Sequence, residues 1–149
     1  MGLKLRIPII LFFILLIYSC LAQFPFSLHY TVNEGLPSSE ILDISQDKDG
    51  NIWFATTYGL CSFNGYEFKS YTVPDIPDQS FILIQKGENN KLWFLSYTGY
   101  LCYLKDRKLY SYKYNDSLQK LAGKDFLHSV KVDKYDRVFF KGKQKNQVI

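Results

Sequence analysis

A segment of about 40 residues occurs twice in this chain, and this internal repeat limits the folds that the chain can adopt. The stretch "ISQDKDGNIWFATTYGLCSFNGYEFKSY", from Ile44, aligns with "IQKGENNKLWFLSYTGYLCYLKDRKLYSY", from Ile84. The matched positions include a pair of tryptophans and a pair of glycines, Trp53 with Trp93 and Gly59 with Gly99. Repeats of this length are typical of folds in which similar units stack and bury a shared core.

A degenerate third copy follows as "VKVDKYDRVFFKG", from Val130. In this copy Asp133 takes the place of Asp47, and Phe139 takes the place of Trp53. The chain is therefore expected to hold three blade-like repeats, at about residues 35–73, 76–114 and 123–149.

Turn signals divide the first copy into four short strands. The strands are expected at residues 40–45, 52–57, 60–63 and 67–72, and the turns between them at Asp47 to Gly50, Tyr58-Gly59 and Asn64-Gly65. Asn-Gly is a strong hairpin signal because both residues tolerate positive φ. Each copy is therefore predicted to be a four-stranded antiparallel meander.

The second strand of every copy is apolar on both faces. The runs are Ile52 to Ala55, Leu92 to Leu95 and Val138 to Phe140. A sheet with one solvated face would alternate apolar and polar residues, so a continuous apolar run means that both faces are covered. Stacked neighbouring sheets supply that cover, and an aromatic content of 17% suits such strands. The predicted fold is all-β: an incomplete β-propeller of about two and a half blades after a signal peptide.

The first 22 residues have the pattern of a secretory signal peptide. Lys4 and Arg6 precede an apolar run over residues 7–18, which is short for a membrane span of about 20 residues. Small residues then lead to a cleavage site expected after Ala22, so that the mature chain begins at Gln23. The expected domains are a signal peptide at residues 1–22 and a partial β-propeller at residues 23–149.

Two alternatives for this leader stay open. One is a retained N-terminal anchor, and the other is a lipoprotein cleavage before Cys20, which the bulky Tyr18 disfavours. Removal of the leader takes Lys4 and Arg6 away, so the formal charge falls from +4 to +2. So small a charge argues against a nucleic-acid partner.

Two cysteines remain in the predicted mature chain, Cys61 and Cys102. Both lie in apolar strands, where buried free thiols are the preferred interpretation. A disulfide is the alternative in an oxidising compartment, and it would need Cα atoms within about 7 Å. The sequence has no cysteine and histidine spacing that favours structural zinc.

The stretch "EGLPSSEILDISQDKDGNIWFATTYGLCSFNGYEF" resembles the repeat of the two-component regulator propeller family. Blades of that family read GLP, a strand, D-x-x-G-x-x-W, a T and a GL. The matching positions are Gly35, Leu36, Pro37, Asp47, Gly50, Trp53, Thr56, Gly59 and Leu60. The second copy matches less closely, since Gly87 and Asn90 replace Asp47 and Gly50, and the third matches poorly.

The resemblance implies an exported sensor region of a histidine kinase, in the periplasm or cell envelope. It implies a chain that is the N-terminal fragment of a sensor propeller, with a membrane connection only through a downstream segment. The expected partners are an unknown small-molecule or glycan ligand and either the missing propeller blades or other copies of the chain. No catalysis is expected of the fragment itself, although the full-length relative would be a protein histidine kinase.

The stretch from Asp47 through Asp49, Gly50 and Asn51 also raises the possibility of a calcium loop. The EF-hand pattern requires a later bidentate glutamate and flanking helices, and the sequence has neither. The preferred interpretation is a turn in which aspartate oxygens accept backbone N–H groups and glycine supplies positive φ. The sequence therefore predicts no metal, no cofactor and no catalytic residue, and these positions are assigned to the repeat structure.

Two further functions are kept as alternatives. A secreted propeller enzyme of the lyase or glycosidase kind would need clustered acidic or histidine residues on one face, and this chain supplies few. A self-assembling binding module is the other. The alternating Tyr110, Tyr112 and Tyr114 could stack on sugar rings from one strand face, although packing is the more ordinary role for such rings.

Export of the chain should yield a mature protein whose first residue is Gln23, because cleavage is expected directly after Ala22. N-terminal sequencing of the exported protein checks this. An N-terminus at Met1 would support the retained anchor, and a lipid-modified Cys20 would support the lipoprotein alternative.

Overall fold

The computed structural model describes residues 27–88, 91–122, 130–141 and 146–148. The predicted signal peptide and its Ala22–Gln23 cleavage site lie outside these residues. The described strands are β1 Ile41–Gln46, β2 Ile52–Thr56, β3 Gly59–Phe63, β4 Phe68–Tyr71, β5 Phe81–Lys86, β6 Leu92–Ser96, β7 Leu101–Lys105, β8 Lys108–Ser111, β9 Val130–Val132, β10 Val138–Lys141 and β11 Asn146–Val148. A 3₁₀ turn at Val32–Glu34 and a helix α1 at Asn115–Ala122 complete the elements.

The strands form three antiparallel sheets that follow the order of the repeats. The first sheet has the order β1-β2-β3-β4, the second β5-β6-β7-β8, and the third β11-β10-β9. Every neighbouring pair is antiparallel, and neighbouring sheets approach each other closely at their first strands, β1 with β5 and β5 with β9. The predicted all-β class, built from four-stranded meanders, is confirmed.

The hairpin at Asn64-Gly65 differs from the expected two-residue turn. Strand β3 ends at Phe63 and β4 begins at Phe68, so four residues form the loop. Gly65 has a φ of 97°, while the Asn64 side chain accepts hydrogen bonds from the N–H groups of Tyr66 and Glu67 at 2.9 and 3.0 Å. The asparagine acts through its side chain, and the prediction of a tight Asn-Gly turn was wrong on that point.

Strand β6 is buried on both faces, as the apolar run predicts. All five residues from Leu92 to Ser96 are buried. Leu92 and Phe94 point into a core shared with the first sheet, whereas Trp93 and Leu95 point into a second core shared with the third sheet. The alternation of side chains along a strand thus connects the two cores through one strand.

The core between the first two sheets contains aromatic and aliphatic side chains from both repeats. Its buried members are Trp53, Ala55, Leu60, Val73, Ile76, Phe81, Ile84, Leu92, Phe94 and Cys102. The Trp53 ring lies 4.8 Å from the Tyr71 ring and 5.3 Å from the Phe94 ring, centroid to centroid. The contact with Tyr71 lies within the first sheet, and the contact with Phe94 joins the second strands of the two sheets.

Hydrogen bonds also connect the first strands of neighbouring sheets. The Asp43 carboxylate accepts the N–H of Ile84 at 2.7 Å and the N–H of Ile44 at 2.8 Å. The Gln85 amide donates to the carbonyl of Val132 at 3.4 Å. Hydrogen bonds between the first strands of neighbouring sheets therefore fix the stack, in addition to the burial of apolar side chains.

Helix α1 follows the second sheet and was not predicted from the sequence. Its Leu118 is fully buried in the second core, and Gln119 donates to the Thr98 carbonyl at 3.0 Å. The Asn115 amide bonds to both the N–H and the carbonyl of Leu101 at 2.9 Å. The helix thereby fills space beside the second sheet.

Both cysteines are buried free thiols, which confirms the preferred interpretation. Burial raises the pKa of the Cys61 thiol to about 12 and raises that of Cys102 further. Among the helices of the described residues, none is long and apolar enough to cross a membrane.

Candidate functional site

The turn at Asp47 is the part of the repeat motif that carries its polar residues. One carboxylate oxygen of Asp47 accepts the N–H groups of Asp49 and Asn51 at 2.9 Å. The other accepts the Asn51 side-chain amide and the Trp53 indole N–H, also at 2.9 Å. Gly50 has a φ of 89° at the corner of the turn. One carboxylate thus satisfies four donors and fixes the indole that packs between the sheets.

The environment of Asp47 stabilises its ionised form. Burial by itself would raise the pKa of this carboxyl, but hydrogen bonds from Asn51, Trp53 and Asp49 together hold the pKa below its ordinary value. All four donors come from the protein. The carboxylate therefore serves the turn, in agreement with the interpretation preferred from the sequence.

The same backbone turn recurs in the other two repeats. The first N–H donates to the carbonyl four residues on in each copy, Asp47 to Asn51 at 2.9 Å, Gly87 to Lys91 at 2.8 Å and Asp133 to Arg137 at 3.1 Å. Asp136 stands at the position of Gly50 and has a φ of 60°. The backbone conformation is common to the repeats, while the side chains that hold it differ.

The second copy has no carboxylate at this position, because Gly87 replaces Asp47. Its indole, Trp93, is 2% exposed, and the Nε1 atom has no hydrogen-bond partner among the described residues. A Cβ atom on Gly87 would lie 3.0 Å from that nitrogen, so the indole edge rests against the glycine backbone. The ammonium of Lys91 lies 4.4 Å from the centroid of the Trp93 ring.

In the third copy, Arg137 takes the place of Asn51 as the partner of the aspartate that begins the turn. The Asp133 carboxylate accepts the N–H groups of Tyr135 and Arg137 at 2.9 and 3.0 Å, and it pairs with the Arg137 guanidinium at 2.6 Å. Burial alone would raise the pKa of Asp133, but these bonds lower it. The Arg137 guanidinium carbon lies 5.8 Å from the Phe139 ring centroid, in place of an indole hydrogen bond.

These turns line a cleft on one side of the stack, which is the candidate binding site. The cleft has a volume of about 930 Å³. Its walls are the first two sheets, with one residue from the third, and they comprise Asp47, Lys48, Asp49, Asn51, Trp53, Ser62, Asn64, Glu67, Lys69, Tyr71, Lys91, Tyr103, Leu104, Lys105, Asp106, Arg107 and Asp136. The lining holds five basic and five acidic residues, so its formal charge is balanced.

Two ion pairs span neighbouring sheets at this cleft. Arg107 reaches Asp49 of the first sheet at 3.4 Å, and Lys91 reaches Asp136 of the third repeat at 2.8 Å. The Lys91 ammonium also lies 4.1 Å from the centroid of the Tyr103 ring. Exposed pairs of this kind contribute about 0–1 kcal/mol each, so they define the lining more than they stabilise the stack.

The cleft residues of the second sheet were not singled out from the sequence. Asp106 and Arg107 form a two-residue hairpin turn with φ values of 49° and 62°. Non-glycine residues rarely adopt this conformation, and the only sequence signal was a short polar break between two apolar runs. Lys91 likewise gave no signal, because its partners lie in different repeats.

The remaining motif positions have structural roles. Gly35 caps the 3₁₀ turn with a φ of 110°, Leu36 is buried, and Pro37 is half-buried. The Thr56 hydroxyl donates to the carbonyl of Gly59 at 2.9 Å in the turn between β2 and β3. Gly99 has a φ of 84° in the corresponding turn of the second repeat.

The three alternating tyrosines do not form an exposed strand face. Strand β8 ends at Ser111, and Tyr112 is 8% exposed with its ring 5.5 Å from Trp93. Tyr110 stacks on Tyr103 at 5.8 Å, and Tyr114 packs edge-on against Tyr112. Tyr112 therefore has a packing role, while Tyr110 and Tyr114 contact neighbouring rings and are each 42% exposed. Within the described ranges, no group of three or more His, Cys, Asp or Glu residues is placed to hold a metal ion.

The stacked four-stranded sheets and their recurring turns define a protein of the β-propeller class. Residues 35–58 match the sequence pattern of the family described as two component regulator propeller, so the resemblance expected from the motif is confirmed for that segment. Histidine kinase P4 from Formosa agariphila is 45% identical over 42 residues, an alignment that covers 28% of this chain and 3% of that protein.

Two solved structures share this fold. One is the extracellular domain of a hybrid two component system from B. thetaiotaomicron, with a TM-score of 0.54 and 17% identity, covering 78% of this chain and 16% of the other. The second is virginiamycin B lyase from Staphylococcus aureus, with a TM-score of 0.54 and 20% identity, covering 76% of this chain and 38% of the other. Likeness at these identities establishes the fold, and this chain spans only a small part of the sensor proteins that it matches.

Replacing Asp47 with alanine should destabilise the protein by about 1–3 kcal/mol, because the buried indole N–H of Trp53 would lose its acceptor. Urea unfolding followed by tryptophan fluorescence measures this change. Asp49→Ala is the matched control. Asp49 makes one exposed ion pair at 3.4 Å, so its loss should cost less than about 1 kcal/mol.

The difference in the free energy of unfolding between Asp47→Ala and Asp49→Ala should also depend on pH. Asp47 has a lowered pKa in the folded state, so its contribution is present at neutral pH and is lost as the pH falls below the ordinary carboxylate range toward the folded value. Equal stabilities of Asp47→Ala and Asp49→Ala at neutral pH would contradict the structural role of the turn.

Proposed function

We propose that this chain is part of an exported sensor propeller of a two-component signalling histidine kinase, and that it binds a ligand without catalysing a reaction. The observation that carries the proposal is the family repeat at residues 35–58, which continues into a second and a third copy with the same backbone turn. The 45% identity to a histidine kinase over 42 residues supports the same assignment. In this proposal the propeller lies in the periplasm or cell envelope, and a segment elsewhere in the full-length protein connects it to the membrane.

The cleft beside the Asp47 turn supports the ligand-binding part of the proposal. Its balanced charge favours a neutral, polar ligand over a strongly anionic or cationic one. Tyr71 and Tyr103 supply ring surfaces, while Ser62 and Asn64 supply hydrogen-bonding groups. A polar small molecule or a neutral glycan has the matching chemistry, with several hydroxyl groups and apolar ring faces.

The absence of catalysis is inferred from how the acidic groups are used. Three of the five acidic residues that line the cleft are engaged: Asp47 accepts four hydrogen bonds within its own repeat, and Asp49 and Asp136 are paired with basic residues of the second repeat. Glycoside hydrolysis needs two carboxylates positioned on either side of a sugar bond. The likeness to a lyase concerns the fold, so it gives that alternative no residue-level support.

The sensor assignment is tested by sequencing the genomic DNA downstream of the codon for Ile149 in all three reading frames. We expect further copies of the D-x-x-G-x-x-W repeat, a membrane span and a kinase region. Downstream DNA without any such repeat would contradict the assignment and would favour a self-standing binding module.

The ligand site is tested by thermal unfolding with a panel of neutral oligosaccharides, such as maltopentaose and laminaripentaose, and of small polyols. A ligand that raises the melting temperature of the wild type should bind about tenfold more weakly to Arg107→Ala, which removes a donor from the cleft rim. Lys113→Ala is the control, because this exposed lysine does not line the cleft. An unchanged affinity in Arg107→Ala would place the ligand elsewhere.

A further inference from the structure

The loop between β3 and β4 carries the dipeptide Asn64-Gly65 on the surface. All four loop residues, 64–67, are exposed. A Cβ atom added to Gly65 would meet no other atom within 4 Å, so the space around the dipeptide is open. Because glycine has no side chain, its main-chain nitrogen can approach the side-chain amide of the residue before it without steric hindrance. The dipeptide therefore brings a nucleophilic nitrogen and an electrophilic carbonyl group together.

Two backbone donors polarise the side-chain carbonyl of Asn64. Its Oδ1 atom accepts the N–H groups of Tyr66 and Glu67 at 2.9 and 3.0 Å. Donors that point at a carbonyl oxygen stabilise the negative charge that develops there when a nucleophile adds to the carbon, as in an oxyanion hole. The same two bonds fold the side chain back over its own backbone, which keeps Cγ beside the main chain of Gly65. The loop thus both orients and activates this amide.

The two nitrogens that such a reaction uses are not held by other groups. Among the described residues, neither the N–H of Gly65 nor the Nδ2 amide of Asn64 has a hydrogen-bond partner. The Gly65 nitrogen is available to attack, and the amide nitrogen can leave directly into solvent.

Two other asparagines lack this combination. The Nδ2 amide of Asn51 donates to Asp47 at 2.9 Å, and the next residue is the β-branched Ile52. Asn115 is 6% exposed, and its Nδ2 amide donates to the Leu101 carbonyl at 2.9 Å. In both cases the leaving group is held by the fold, so these residues are internal references for Asn64.

We infer that Asn64 is a site of spontaneous deamidation. The Gly65 nitrogen forms a bond to Cγ of Asn64, its proton passes to the departing nitrogen, and the Cγ–Nδ2 bond breaks with release of ammonia. Water then opens the resulting succinimide ring at either of its two carbonyl groups. The product is an aspartate or an isoaspartate, and water is the only co-reactant.

The reaction changes the charge of the candidate cleft. Asn64 lines the cleft together with five basic and five acidic residues, so a sixth acidic group lowers the formal charge of the lining from zero to −1. The reaction also removes the amide donor, which would weaken the binding of any ligand that this donor holds. That second consequence depends on the proposed ligand-binding function, whereas the reaction itself does not.

Peptide mapping by mass spectrometry, after incubation of the folded protein in a mildly alkaline buffer, tests the inference. The peptide that contains Asn64 should acquire the mass of the deamidated form and should contain isoaspartate, while the peptides of Asn51 and Asn115 stay unchanged. Asn64→Gln should abolish the conversion, because its longer side chain would have to close a larger ring. Gly65→Ala should slow the conversion at least about tenfold, since a Cβ atom hinders the attack.

The same incubation in urea separates the effect of the loop from that of the dipeptide. The folded protein should convert Asn64 at least as fast as the unfolded chain, because the donors of Tyr66 and Glu67 are present only in the folded loop. An Asn64 that stays intact in the folded protein, or that converts only in urea, would overturn the inference. So would equal conversion at Asn51.

Circular dichroism checks that each variant keeps its β structure. If Gly65→Ala does not fold, Asn64→Gln and the comparison with urea still decide the outcome. None of these results bears on the sensor assignment, which depends on the repeat family and on the downstream DNA.

Discussion

The packing of one sheet against the next is the interaction on which the rest of the structure depends. No repeat can bury its second strand alone, because that strand is apolar on both faces. Trp53 illustrates the solution: its ring contacts Tyr71 of its own sheet and Phe94 of the next, and its N–H is held by Asp47. The aspartate turn therefore contributes to packing between sheets, although it lies at the edge of the core.

The three turns show which part of the motif is essential to the repeat. All three keep the same backbone hydrogen bond, although aspartate, glycine and aspartate begin them. The three repeats therefore share the backbone turn itself, whereas the side chains around the turn differ. That divergence brings Lys91 and Asp136 into contact at the cleft. A structural repeat can thus supply cleft-lining residues from positions that do not carry its core.

The fold was predictable from the sequence because its cause is periodic. The aligned Trp53 and Trp93, with apolar runs around them, specify strands that are covered on both faces. Helix α1 was not predictable in the same way, because its eight residues follow the second repeat and belong to no periodic pattern. Its position depends on Leu118 in the second core and on Asn115 at Leu101, which are contacts with strands distant in sequence.

The candidate cleft was even less accessible to sequence reasoning. Asp47 could be assigned to a turn because glycine and asparagine follow it at suitable positions. The pairing of Arg107 with Asp49 joins residues of different repeats, and it requires the relative position of two sheets. Local patterns thus predicted the elements and their turns, while the lining of the cleft required the assembled stack.

Asp43 has a consequence for how this protein avoids incorrect strand pairing. Strands β1 and β5 are the inner edges of their sheets, and a free edge offers N–H groups to any passing strand. A single carboxylate takes the N–H of Ile44 on one edge and the N–H of Ile84 on the other. Leu83 stands at the aligned position of the second repeat, so this blocking device protects the junction of the first two sheets and is not repeated at the next. The edge between the first and second sheets is therefore protected against the addition of another strand by a carboxylate, whereas the edge between the second and third sheets lacks that carboxylate.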